Sequence, residues 1–88
     1  MIDRAIVYDV IDGERAYQDR GAGNAKRHEN QPPVMTPGEY LLCMEEVFEQ
    51  ARAAWYKPDG SKVCLESVRK IAALGVACME HHGAPPRA

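Results

Sequence analysis

Eighty-eight residues with thirteen acidic and eleven basic side chains carry a formal net charge of −2, and that length holds one small domain, too little for a barrel or a doubly wound sheet. The charges are spread evenly, six acids and five bases up to residue 35 and seven and six beyond it, so no basic stripe of the kind that grips bulk nucleic acid is present. No run approaches ~18 consecutive apolar residues, which excludes a helical membrane span.

In chain order, residues 1–20 come first. Ile2, Ile6, Val7, Val10 and Ile11 recur at helical spacing, although β-branched residues are frequent enough to leave a strand as the alternative. The pattern predicts a helical segment, with a break near Gly13 left open. Residues 21–35 gather Gly21, Gly23, Asn24, Asn30, Pro32 and Pro33 around Lys26, Arg27 and His28, a density of turn formers that predicts a long loop. Thr36-Pro37-Gly38-Glu39 has the form of a capping box. Tyr40, Met44, Val47, Phe48, Ala51, Ala54 and Trp55 then follow at three- and four-residue intervals, predicting one broad apolar helix face. This helix is expected to run over 37–57, because Pro58-Asp59-Gly60 cannot continue it.

Ser61 is the expected cap of the next helix, over 61–82. Its apolar positions are Cys64, Val68, Ile71, Ala72, Gly75, Cys78 and Met79, and Gly83 with Pro85-Pro86 ends it. The expected fold is therefore all-α: a long antiparallel helical hairpin over 36–83, an N-terminal helical segment packed across it, and a tail at 84–88. A hairpin alone has too little third wall, so a homo-oligomeric bundle with ligand sites between subunits is expected. Cys43, Cys64 and Cys78 are an odd number set among apolar residues and read as thiols of a cytoplasmic protein. Asp3 and Arg4 at the start do not form a signal-peptide pattern.

Two groups of residues could carry chemistry. Glu45, Glu46 and Glu49 lie mid-helix, with Glu45 and Glu49 one turn apart. The bland reading is a solvated face helped by Glu49 and Arg52; the functional one is part of a magnesium site, since hard divalent ions take carboxylates in this arrangement. The second group is Arg15, Tyr17, Gln18 and Arg20, followed by Lys26, Arg27 and His28. Arginine forks suit phosphate, tyrosine can stack on a base and glutamine can read a base edge; the bland reading is a solvated loop. His81-His82 point about 100° apart and fit a helix end better than a zinc site.

The capped helix with its Glu-Glu-x-x-Glu motif, followed by a second long helix, resembles the all-α MazG-like nucleotide pyrophosphohydrolases. Three strings look like those of small phage-encoded proteins: 14–19 (Glu-Arg-Ala-Tyr-Gln-Asp), 36–42 (Thr-Pro-Gly-Glu-Tyr-Leu-Leu), and 68–85 with its Cys78-Met79-Glu80-His81-His82-Gly83-Ala84-Pro85 ending. The likeness spans roughly residues 12–86. In the enzymes a second acidic pair from the next helix completes the magnesium site, whereas this chain offers Glu66 and then Arg69 and Lys70. The resemblance thus implies a nucleotide-holding surface without a complete catalytic metal motif.

The expected function is a non-catalytic nucleotide-binding protein, without a cofactor, in the cytoplasm of an infected bacterial cell. Its ligand would be a nucleotide second messenger of anti-phage immunity, of cyclic dinucleotide or cyclic ADP-ribose type, held by Arg15, Tyr17, Gln18, Arg20, Lys26, His28 and Arg69. One alternative is a magnesium-dependent nucleoside triphosphate pyrophosphohydrolase using Glu45, Glu46, Glu49 and Glu66. The other is an inhibitor that docks on a host protein through an apolar helix face.

Overall fold

The Asp3 carbonyl accepts from the Ile6 and Val7 N–H groups at 3.1 and 3.3 Å and starts α1, Arg4–Tyr17. The computed structural model describes residues 1–22 and 34–87, and every regular element among them is helical. Helix α1 runs through Gly13 without a break. A Cβ there would meet nothing within 4 Å, so neither crowding nor a special backbone angle marks the position. One helical glycine costs only about 1 kcal/mol relative to alanine, and Asp12, Glu14, Arg15 and Ala16 carry the helix across it. At Gln18 the N–H is shared between the Glu14 and Arg15 carbonyls, and the chain widens into a π-helical turn, Gln18–Ala22.

The capping box forms as its spacing predicts. The Thr36 hydroxyl accepts from the Glu39 N–H at 3.2 Å, while Thr36 N–H donates to Glu39 Oε1 at 3.0 Å. It opens α2, Pro37–Ala54. This helix stops three residues before the expected Lys57. The residue before a proline is pushed out of helical geometry, and residues 55–59 instead form a turn closed by Lys57 N–H to Ala54 and Gly60 N–H to Lys57, both 3.0 Å. Asp59, in place of Ser61, stands at the N-cap of α3, Gly60–His82. Gly83, at φ 106°, ends α3 with its N–H on the Met79 carbonyl at 2.8 Å, a left-handed stop that favours glycine.

Helix α3 is the centre of the molecule. Helices α1 and α2 each pack along it, and their backbones do not approach one another. Cys64 near the start of α3 donates its thiol to the Ala51 carbonyl near the end of α2, and a Cβ on Gly75 would touch the Met44 methyl. The buried apolar residues are Tyr40, Ala51, Ala73 and Ala77, and no large side chain among the described residues is fully buried.

Here the structure departs from the broad apolar faces read in the sequence. Phe48, Trp55 and Val68 are 55%, 54% and 61% exposed, and Met79 is exposed too. The physical reason is width: an apolar helix face of more than 100° is broader than one neighbouring helix covers. Alanines line the strip that is covered, and larger side chains are left beside it.

Candidate functional site

Three chain segments meet at one end of the molecule: the C-terminal turns of α1, the start of α2 and the last turn of α3. Arg15 joins two of them. Its Nη1 donates to Asp19 Oδ1 at 2.6 Å, one turn along the same helix, and its Nε donates to Glu80 Oε1 of α3 at 2.7 Å. The Arg15 side chain is only 12% exposed. Its burial works against the charged form, but the bonds to Asp19 and Glu80 outweigh that and raise its pKa above the ordinary arginine value. Arg15 is thus a fixed cation throughout the accessible pH range.

Start of α2 and end of α3 are joined by His82, whose Nε2–H donates to the Met35 carbonyl at 2.7 Å. Its ring also meets the Tyr40 ring edge-on, 6.3 Å between centroids. Tyr40 is buried, and burial raises its hydroxyl pKa, with Arg15 pulling the other way and Cys78, Glu80 and Cys43 adding to the rise. His81 and His82 occupy the last turn of α3, where cationic or donating side chains suit the helix dipole.

From Glu14, the residue next to Arg15, a second ion pair ties α1 to α3. Arg69 Nε donates to Glu14 Oε1 at 2.7 Å, with the Glu14 side chain 8% exposed and that of Arg69 37%. Arg69 is therefore engaged by a carboxylate of its own chain, as is Arg15. Of the remaining expected ligand residues, Gln18 is half-buried, while Tyr17 and Arg20 are exposed. The Arg20 guanidinium lies 6.0 Å from the centre of the Tyr17 ring, at the limit of cation–π distance. The expected ligand residues Lys26 and His28 lie outside the described residues.

Glu14, Asp19 and Glu80 were not singled out by the sequence pattern. The Arg15–Asp19 spacing of four was a readable signal. Glu14 carried one as well, since it shares the inward face of α1 with Ile11 and Gln18. Its partner on α3, 55 residues away, had no local signal.

Comparison with known proteins yields nothing that bears on the site: no protein-family model matches the chain, nor does any curated protein or solved structure. The likeness to the MazG-like enzymes rests on its motifs alone.

Glu45, Glu46 and Glu49 lie on the exposed surface of α2. Among the described residues, no group of three histidine, cysteine, aspartate or glutamate side chains is arranged to hold a metal ion. The described residues thus form no all-protein cage, and a magnesium ion held through one or two of these carboxylates would need substrate oxygens and water to complete its octahedron. Glu49 and Arg52 make no ion pair among the described residues. No helix of the described residues is long and apolar enough to cross a membrane.

Proposed function

We propose that this protein is a non-catalytic nucleotide-binding protein that sequesters a nucleotide second messenger of the cyclic dinucleotide or cyclic ADP-ribose type, in the cytoplasm of a phage-infected bacterium. The observation that carries the reading is the Tyr17–Arg20 pair. An exposed aromatic ring and an exposed guanidinium sit together where α1 passes into a π-helical turn, and π-turns are frequent at functional sites. The ring offers a stacking face for a base, and the guanidinium a fork for phosphate. Behind them Arg15 is held fixed between Asp19 and Glu80. Its charge is matched by those two carboxylates, so it serves as a rigid anchor rather than a freely reaching hand.

The same reading makes α2 and α3 an antiparallel hairpin, supported by the pairing of Ala51 with Cys64, Met44 with Gly75 and Met35 with His82. It also makes the protein a homo-oligomer, because the buried apolar residues among those described are three alanines and one tyrosine. A thermal-shift panel of cyclic dinucleotides, cyclic ADP-ribose and nucleoside triphosphates tests the binding. A ligand at 100 times its Kd adds about 2.7 kcal/mol of stability. Tyr17→Ala and Arg20→Ala should abolish the shift while leaving the unliganded melting temperature nearly unchanged. A panel without any shift, or a shift unaltered in both variants, refutes the reading. Pyrophosphate release from nucleoside triphosphates with magnesium would replace it with the enzyme alternative.

A further inference from the structure

Six exposed apolar side chains of α2, its C-cap and α3 fall into two stripes, with Leu42, 66% exposed, lying off the α2 stripe. On α2 and its C-cap, Leu41, Phe48 and Trp55 are spaced seven apart and are 65%, 55% and 54% exposed. On α3, Leu65, Val68 and Met79 are 72%, 61% and 47% exposed. Each stripe is the inter-helix contact line advanced by one residue: 41, 48 and 55 follow 40, 47 and 54, while 65, 68 and 79 follow 64, 67 and 78. One residue is a rotation of about 100°. In two helices running in opposite directions, the same advance turns both stripes to the same side of the pair. They form one apolar face, rather than two separate edges.

We propose that a second copy of this chain docks on this face about a two-fold axis, with the two α2 helices antiparallel and centred between Phe48 and Glu49. The proposal deepens the oligomeric part of the function proposed above, rests on that part, and does not depend on the nucleotide. Two observations choose a second copy over a foreign partner. The first is charge. Glu45 and Arg52 are exposed within the α2 stripe and stand at equal distances from the point between Phe48 and Glu49, so a two-fold there sets Glu45 of each copy against the partner's Arg52. The pairing is reciprocal, as an isologous interface requires. Neither residue has an ion-pair partner within its own chain among the described residues.

The second is area. The six side chains expose roughly 600 Å² per subunit, close to the ~800 Å² that each partner gives to a standard interface. The polar rim of α2 would supply the remainder. Residues 23–33 contain no large apolar side chain. The four buried apolar side chains among the described residues also fall short of the core that small domains need.

Sedimentation equilibrium of the full chain tests this, with helical content followed by circular dichroism. The wild type should be a dimer or a higher assembly built from dimers. Glu45→Arg and Arg52→Glu should each weaken the association about tenfold, and the double variant should recover to within about threefold of wild type. Phe48→Asp should give a helical monomer. The recovery is diagnostic, because positions seven apart on one helix are too distant to pair within a chain. A wild type that stays monomeric at every concentration overturns both this proposal and the oligomeric reading, and leaves the nucleotide result standing. An assembly indifferent to the charge exchange and to Phe48→Asp overturns this interface alone.

Discussion

The Glu14–Arg69 ion pair makes a prediction whose sign depends on which partner is removed. The Glu14 side chain is 8% exposed and that of Arg69 37%, so the two losses are unequal. Arg69→Met leaves a carboxylate buried between α1 and α3 with its partner gone. Removing one member of a buried pair costs about 3–5 kcal/mol, and the 37% exposure of Arg69 places this pair at the low end, about 3 kcal/mol.

Glu14→Gln leaves the guanidinium behind, but that group already reaches water and keeps an amide oxygen as acceptor; a loss of about 1 kcal/mol follows. Replacing both residues by apolar side chains, Glu14→Leu with Arg69→Met, should fall within about 1 kcal/mol of wild type, since buried pairs commonly exchange for apolar packing at little cost. Urea unfolding followed by far-ultraviolet circular dichroism, at one fixed protein concentration because assembly shifts apparent stability, measures all three. Equal losses in the two single variants, or a double variant as unstable as Arg69→Met, would refute the reasoning.

Four further outcomes follow from the same structure. Thr36→Ala removes the hydroxyl that accepts from Glu39 N–H and should cost about 1 kcal/mol, read as a drop in melting temperature. Gly60→Ala should destabilise by about 2 kcal/mol or more, since its Cβ would run into the Trp55 carbonyl. Gly13→Ala, with open space at the Cβ, should instead stabilise by roughly 0.5–1 kcal/mol. Tyr40 has a hydroxyl pKa raised above the ordinary tyrosine value through burial, with Arg15 opposing. Its neutral form is favoured in the folded state, so the contribution is complete below pH 10 and is lost as pH rises through the folded pKa. Unfolding free energy should fall above pH 10 in the wild type and fall less steeply in Tyr40→Phe; identical slopes would exclude Tyr40 as the source.

Local signals in the sequence were enough for the elements themselves. The Thr36–Glu39 box and Pro37 start α2, the turn around Pro58 separates two helices, and Gly83 ends α3, because capping and backbone geometry depend on residues within four positions of each other. The all-helical character followed from the same periodicities. Placement of the boundaries was less complete: Pro58 acts on the residue before it and on the turn that leads to it, so α2 ends at Ala54.

What the tertiary structure decided is which side of each helix is covered and which charges are engaged. Periodicity marked Phe48, Trp55 and Val68 as apolar-face residues, but whether a face is buried depends on how many neighbours surround it, and α2 and α3 cover only an alanine-lined strip. Arg15 and Arg69 read from sequence as free basic groups for a ligand. In the fold each is paired with a carboxylate on another helix, Glu80 at 65 residues' separation and Glu14 at 55, distances along the chain over which only packing brings charges together.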